Sequence, residues 1–548
     1  MKTFDSIELE IFKNIFVSIS EEMAAVLGRT ALSPNIKERK DFSCALFNDR
    51  GETLAQGSHI PVHLGAMPLS VQAAMKATTF EEGDLVILND PYRGGTHLPD
   101  ITCIAPVFIR KKLAFFAANR AHHSDVGGMT PGSMPLATEI FQEGLILPPL
   151  KLIRKGRLDE DILGLILANV RTPEERKGDL LAQIAACEKG KQRTREAVRK
   201  YGLGKIRRYA ALIQDYTEKF LRQTIRRIPD GTYEFTDYLD DDGISGDPVR
   251  IAVQILIRGS RAVIDFSASS PQVKGSVNAN STVTLSAVLY VFRSLIEEDI
   301  PFNTGLLRPL RIIAPPGLVV SAQYPAATAA GNVETSQRIV DVLLGALAKA
   351  VPEKIPAASS GTMNNVAFGG YDPGKRKPFA YYETIGGGMG ASRENPGVSG
   401  VHTHMTNSRN TPLEALEKYL PIRIRRYSLR NGSGGRGANR GGDGIVREYE
   451  FAIPTQVTIM SERRKFAPYG LQGGRPGRPG KNVLLSDGKR ITLKSKVNLH
   501  VKAGDVLRIE TPGGGGYGKQ QVGGTRVAIR GGKPRGNSIN RNNRKEEK

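Results

Sequence analysis

A chain of mixed α/β (α+β) class, with multi-layer β-rich domains and a central helical block, is what this sequence predicts. Three observations carry that reading. Helix-like and strand-like patterns come in blocks and not in strict βαβ alternation. Residues 158–228 read as helix almost throughout, and from Gly331 onward glycine-dense clusters alternate with strand-like runs such as GIVREYEF and TQVTIMSE. At 548 residues the chain also exceeds the roughly 250–300 residues at which single hydrophobic cores stop growing, so several core-bearing parts are expected. The divisions fall at 1–157 (an N-terminal α/β region), 158–228 (the helical block), 229–518 (a β-rich, Gly-rich mixed region) and 519–548 (a basic, disordered tail).

The elements follow in order. Residues 1–30 pattern as an amphipathic helix capped near Asp5 or Ser6. DFSCALFNDRGETLAQ reads as a hairpin, with Asn48-Asp49-Arg50-Gly51 as turn chemistry between two β-prone runs. SHIPVHLGAMPLSVQAAM is a loop leading into a helix. From Asp84 the pattern becomes strand-like: DLVILND, the loop PYRGGTHLPD, ITCIAPVFI, a basic turn at Arg110-Lys111-Lys112, then LAFFAANRAHH. Thr172-Pro173-Glu174-Glu175 has the marks of a helix start: a hydroxyl cap, proline first, acids in the first turn. Ile206, Tyr209, Leu212, Ile213, Tyr216 and Phe220 recur at helical spacing as a core-facing stripe. GTYEFTDYLDDDG, RIAVQILIRG and RAVIDFSA are strands, with Asp240-Asp241-Asp242 read as a solvated hairpin turn. The later glycine clusters mark tight turns and close backbone approaches in a packed β region, because ordered strands lie between them.

Composition narrows the class of function. No run of about eighteen apolar residues exists to span a membrane, and the N-terminus mixes acids into its apolar pattern, unlike a secretory signal. Cys44, Cys103 and Cys187 lie far apart without CxxC spacing, which argues against a disulfide framework or zinc cage and for a reducing, cytoplasmic setting. The net charge of +22 raises attraction for polyanions. Residues 525–548 supply only +6 of it, from eight basic and two acidic residues, so most of the excess is spread over the body. No zinc-finger spacing, RNP-like motif or helix-turn-helix accompanies it, and the chain has no tryptophan. A basic globular surface is favoured over a nucleic-acid reader or scaffold.

The chemistry concentrates in NDPYRGGTHLPD (residues 89–100) and ANRAHHSDVGG (residues 118–128). If the intervening turn centres on Lys111, Asp100 lies opposite His122 and His97 opposite Asp125. Opposed residues of an antiparallel pair hold their Cβ atoms roughly 4.5–5.5 Å apart, close enough to share an ion. His97, reached through Pro99 and a Gly94-Gly95 loop, is free of strand register and bends over the same ion. Two imidazoles and a carboxylate leave coordination positions open, which suits Mn, Zn or Fe(II) as a divalent catalytic centre better than a closed structural site. His123 and Asp125 are then the catalytic candidates, orienting ligands or moving protons. Asp90 is a further ligand, an acid behind the ligands or only a turn former, the last two being favoured. The alternative is that these histidines only cap strand ends and satisfy a polar loop.

Beyond the cluster, His59 and His63 are four apart but separated by Pro61, so a loop position is expected, either pocket-lining or structural. His402 and His404 alternate in GVHTHMTN and point the same way if the segment is a strand. Glu334, Ser336 and Arg338 are candidates to bind polar substrate groups, although their segment also reads as a helix start whose acid and hydroxyl cap it.

Eight stretches, including HIPVHLGAMP, NDPYRGGTHLPD, AHHSDVGGMTPGS, GNVETSQRIVDVLLGAL, YYETIGGGMGA and the late ETPGGGGYG, resemble the hydantoinase B/oxoprolinase family in order and across essentially the whole chain up to the tail. The resemblance implies a hydantoinase B-like fold. It also implies that His97, Asp100 and His122 match the metal ligands of the acetone carboxylase relatives, where the metal is manganese. An actin-like, hydantoinase A-type partner that carries ATP and Mg is implied too, in keeping with the lack of a GxxxxGK[ST] loop here. The implied activity is that of a B-type component of an ATP-dependent cyclic-amide hydrolase in a hetero-oligomer, the partner phosphorylating the amide and this chain opening the ring. The acetone-type carboxylase branch is the alternative.

Overall fold

The computed structural model describes residues 5–57 and 59–520; most of the expected tail, residues 521–548, lies outside the described residues. Four sheets carry the architecture. The first has seven strands, in the order Thr53–Gln56, Phe42–Asn48, Lys112–His122, Asp100–Ile109, Leu85–Leu88, Leu150–Arg154, Arg157–Leu158. Alternation splits its side chains between two cores. Ile101, Cys103 and Ala105 face the helix Pro173–Tyr201 with Leu180 and Cys187, whereas Ile104, Phe116 and Ala118 face the helix Ala66–Ala77 with Met67 and Val71.

The second sheet, Leu310–Ile313, Arg261–Asp265, Val249–Arg258, Gly231–Leu239, packs with the helices Ser281–Ser294 and Ser336–Leu347 in the largest core. Every residue of Ser336–Leu347 is buried. The third (Lys377–Glu383, Asn365–Asp372, Thr455–Met460, Lys496–Val501) and fourth (Ile422–Arg430, Gly444–Phe451, Val506–Glu510, Lys481–Ser486, Lys489–Leu493) share a core that includes Phe368, Tyr449 and Ile509. The mixed, β-rich class is as the sequence predicts.

The N-terminal helix Ser6–Thr30 is capped by Asp5, whose carboxylate accepts from Ile7 N at 2.8 Å. Its residues Phe12, Phe16 and Met23 share a core with Ala182, Ile206, Tyr209 and Ile213, so the helical block continues the N-terminal core, and the division expected at 157 falls inside the strand Arg157–Leu158. The largest core crosses position 228 likewise, joining Ile60, Val62 and Leu221 to Ile255 and Val340.

Two local readings are corrected. The Thr172 hydroxyl makes no cap to its helix and instead accepts from Arg176 Nη1 at 3.2 Å. Asp240, Asp241 and Asp242 are buried, not solvated: Asp240 accepts from Arg464 N, Lys465 N and Phe466 N, Asp241 faces Lys496 and Lys465, and Asp242 accepts from Ile244 N and Ser245 N. Amide donors and cations brought from more than about 200 residues away make burial of Asp240 and Asp241 tolerable, and local pattern carries no sign of them, whereas Asp242 is held by the amides of its own turn.

The glycine clusters interleave. Gly514 N donates to Gly442 O, Gly442 N to Met389 O, and Gly435 N to Gly514 O, all at 2.8–2.9 Å. A Cβ on Gly514 would stand 2.1 Å from Met389 O. Gly164, in the helix Glu160–Ala168, has nothing within 4 Å of the same position. Gly514→Ala is expected to destabilise by at least the roughly 1–3 kcal/mol typical of overpacking, and Gly164→Ala to stabilise by about 0.5–1 kcal/mol. Thermal unfolding of the two variants should move in opposite directions.

Candidate metal centre

The central hairpin places the site through its register. Asp100 pairs directly with His122, as expected, but the reason differs. The turn is two residues, Arg110 and Lys111, both at positive φ, and a bulge between Val107 and Phe108 leaves Ala114 unpaired. The extra residue offsets the shorter turn, so every pair beyond it keeps the expected partner. Without it, a one-residue slip would put His122 on the opposite face from Asp100.

His97 arrives on the loop before Asp100. Asn280 Nδ2 gathers that loop from behind, donating to the carbonyls of Pro91, Gly95 and Thr96. Gly95 is required there, since a Cβ would lie 2.4 Å from Asn89 O. Asp90 caps the turn through Tyr92 N at 2.9 Å, in the manner of a turn former. Buried Arg120, two residues before His122, donates to Thr102 Oγ1, Ser70 Oγ and Gly94 O and ties strand to loop.

One ligand atom each from His97, Asp100 and His122 lies within 4.8 Å of the others, all three residues being buried. His97 Nε2, His122 Nε2 and Asp100 Oδ1 have no hydrogen-bond partner. Three orphaned buried groups are costly unless something binds them. Their supports fit a cation. His97 Nδ1 sits 3.3 Å from Ala329 O, so its proton belongs on Nδ1 and its lone pair on Nε2. The His122 ring stacks on Tyr382 at 4.6 Å between centroids, with the Asn35 side-chain amide 3.1 Å from its Nδ1. Burial, with His97 nearby, pushes the His122 pKa well below the usual histidine value and keeps the ring neutral. Burial opposes charge on Asp100, but His97 and His63 outweigh it and hold the carboxyl well below its ordinary value. Nitrogen, nitrogen and carboxylate oxygen make a donor set for a divalent transition metal.

His63 is brought into this centre. Its Nε2 lies 3.3 Å from Asp100 Oδ2 and its Nδ1 2.9 Å from Ser43 Oγ, so it braces the carboxylate together with Thr96 Oγ1 at 2.5 Å. His59 instead lies 3.6 Å from Glu21 and accepts from Cys44 N.

The expected catalytic pair lies elsewhere. Alternation turns His123 to the opposite face, where its Nε2 meets Gln183 Oε1 at 2.9 Å, and burial, with Arg176 nearby, lowers its pKa to about 4. The ladder ends at His122, so Asp125 is not held opposite His97. Its carboxylate accepts from Gly127 N, Gly132 N, Arg171 N and the Arg171 guanidinium, as a loop brace.

Among the substrate candidates, Ser336 Oγ is spent on Asn332 O, and Arg338 on Tyr238 O, Gly361 O and the carboxylates of Asp237 and Asp341. Glu334 keeps Oε2 unbonded, while Oε1 accepts from Asn365 Nδ2 and Met363 N. It lies in a single π turn, Gly331–Thr335, a distortion frequent at functional sites. His402 and His404 occupy no strand. His404 has φ +59° and faces Tyr290, while His402 feels Arg39 and Glu383, so the two diverge. The sequence reading missed Asn35, Arg39, Arg120 and Tyr382. Arg39 lies 5.1 Å from the Tyr382 ring centroid and donates to Tyr382 O and Thr384 Oγ1, with the Asn35 amide 3.2 Å from its Nη1. The four-residue spacing of Asn35 and Arg39 could have hinted at that pair alone.

The family model described as hydantoinase B/oxoprolinase matches residues 5–520. The 5-oxoprolinase 1 of Arabidopsis thaliana is 42% identical over 94% of this chain, which spans 42% of that protein. A putative D-/L-hydantoinase B subunit from a Pseudomonas species is 32% identical over 94% of this chain and 90% of its own. Among solved structures, the ATP-dependent caprolactamase from Pseudomonas jessenii superposes with a TM-score of 0.88 at 30% identity, over 94% of this chain and 92% of that one. A nucleotide-free acetone carboxylase shares the fold, with TM-score 0.87 at 19% identity over 94% and 76%.

Glu143 holds the segment behind His97, accepting from Thr328 N and Ala329 N at 2.7 and 2.8 Å. Burial raises its pKa to about 8, against those amide bonds. A carboxyl that binds its proton more tightly when folded contributes stability below its unfolded pKa and loses it as pH rises through the folded value. Glu143→Gln keeps the acceptor oxygen, so its stability should gain steadily on the parent between about pH 4.5 and pH 8, measured by urea unfolding across that range. A constant difference would refute the buried, protonated state.

Proposed function

We propose, from the premise that this chain belongs to the hydantoinase B/oxoprolinase family, that it is the ring-opening component, of B type, in an ATP-dependent cyclic-amide hydrolase. The observation that carries the reading is the convergence of three orphaned, buried donor atoms on one point. His97, Asp100 and His122 would hold a divalent transition metal such as Mn, Zn or Fe. When bound, such an ion supplies Lewis-acid polarisation of a carbonyl and lowers the pKa of water.

The chain's own residues prepare that chemistry. Ala329 O fixes the proton of His97 on Nδ1. Asn35 stands 3.1 Å from Nδ1 of His122 through its side-chain nitrogen and is itself anchored by Arg39 Nη1, which donates to its amide oxygen. His63 and Thr96 hold the Asp100 carboxylate in place, and burial keeps bulk water from competing. A cyclic amide resists attack through resonance, and phosphorylation of its oxygen removes that resistance. We assign the phosphorylation to an A-type, ATP-binding partner in a hetero-oligomer. Support comes from a relative named as one of the subunits of a hydantoinase and from oxoprolinases more than twice this chain's length.

The hydrolase branch is favoured over the ketone carboxylase because the caprolactamase and oxoprolinase relatives are 30% and 42% identical, while the acetone carboxylase shares the fold at 19%. No helix among the described residues is long and apolar enough to cross a membrane, and we place the complex in the cytoplasm on the strength of its free cysteines.

The test is co-purification with the A-type partner, followed by metal analysis and ATP hydrolysis driven by 5-oxoproline, hydantoins or caprolactam. One transition-metal equivalent per chain is expected, lost in His97→Ala and His122→Ala together with lactam-dependent turnover. His63→Gln should weaken metal affinity by about 10–100-fold, as removal of a ligand's support does. Undiminished turnover in metal-free variants would remove the centre from the mechanism.

A further inference from the structure

The excess positive charge has a focus away from the metal centre. A cavity of about 990 Å³ opens beside the hairpin formed by Lys481–Ser486 and Lys489–Leu493. Val483 pairs with Thr492, so alternation places Lys481 and Val483 on the same face as Arg490, Thr492 and Lys494. Arg478 completes the rim. The four rim cations, Arg478, Lys481, Arg490 and Lys494, reach solvent, and none of them has an ion pair among the described residues, Glu510 across the ladder from Lys481 being held by Arg430 at 3.2 Å. Like charges gathered on one sheet face destabilise it unless a counter-anion joins them.

The floor is built. Lys496 is fully buried against Glu462 and Asp241. Arg464 donates to Asn364 Oδ1 and Asn482 Oδ1 at 2.7 and 2.8 Å, yet its Nε is buried without a partner. Its guanidinium rests on Gly480, where a Cβ would stand 2.9 Å from the guanidinium carbon. The cavity's one carboxylate, on Asp241, is already engaged by Lys496, Lys465 and Gly243 N. Ile244, Val483 and Leu493 supply an apolar side.

We infer that this cavity is a binding site for a small organic diphosphate, its charge met by the rim cations and Arg464 and its organic part by the apolar side. The volume matches a nucleotide-sized ligand and is concave where a polynucleotide surface would be open. Planar guanidiniums and mobile ammonium groups are the usual partners of phosphate oxygens. The inference is independent of the metal reading.

Isothermal titration of the full chain with pyrophosphate, ADP and inorganic phosphate tests it at about 0.15 M salt, where diffuse surface attraction is screened. Saturation by ADP or pyrophosphate at one per chain is expected. Tighter binding of ADP assigns a role to the apolar side; equal binding reduces the site to the diphosphate. Arg478→Ala with Lys494→Ala should weaken binding at least tenfold, while Lys177→Ala with Lys200→Ala, exposed on the helix Pro173–Tyr201, should leave it unchanged. Equal losses in both double variants, absence of saturation, or displacement of ADP by an RNA oligonucleotide that binds more tightly would overturn the proposal.

Discussion

The pairing of Asp100 with His122 across the two middle strands of the seven-stranded sheet governs what surrounds it. Two buried polar residues facing one another in a sheet interior need support from every side, and the structure supplies it from distant segments. Ala329, in the segment before a π turn, meets His97; Asn35, in a short helix, meets His122; Tyr382, from the third sheet, covers the ring. The cores interlock around this point, so the helical block cannot be detached from the N-terminal sheet, nor the second sheet from the loop bearing His63.

Much of this was legible in the sequence because it is local. Hydrophobic period marks the strands on either side of Arg110 and Lys111, and the clustering of His97, Asp100 and His122 on one hairpin needs only register to become a site. The register expectation succeeded through two compensating details, a shorter turn and a bulge at Ala114, neither of which leaves a reliable trace in the residues. His123 and Asp125 show the limit of proximity in sequence. Adjacent residues of a strand face opposite ways, so His123 belongs to the helix side and Gln183.

What the sequence hides is the non-local balance of charge. Asp240, Asp241 and Asp242 read as a solvated turn because acids beside glycine usually are one. Here residues near positions 462–466 and 496 arrive to hold Asp240 and Asp241. Arg338 likewise looks like a free hand for substrate and proves to be clasped by Asp237 and Asp341. Such ion pairs are decided by tertiary contacts, where the cost of burying one charge is offset by another that is far away along the chain.

The glycine ribbons bear on the order in which the molecule is completed during synthesis. Backbone around residue 388 is hydrogen-bonded to backbone at 442 and 512, and residues 435 and 442 to residue 514. Each ribbon leaves its amides open until the others arrive, and the last is made only when nearly all of the described chain has left the ribosome. The first sheet and its helices, complete by residue 226, can form while the ribosome is still working. The third and fourth sheets must wait, with their strand edges exposed, for the segment that closes them.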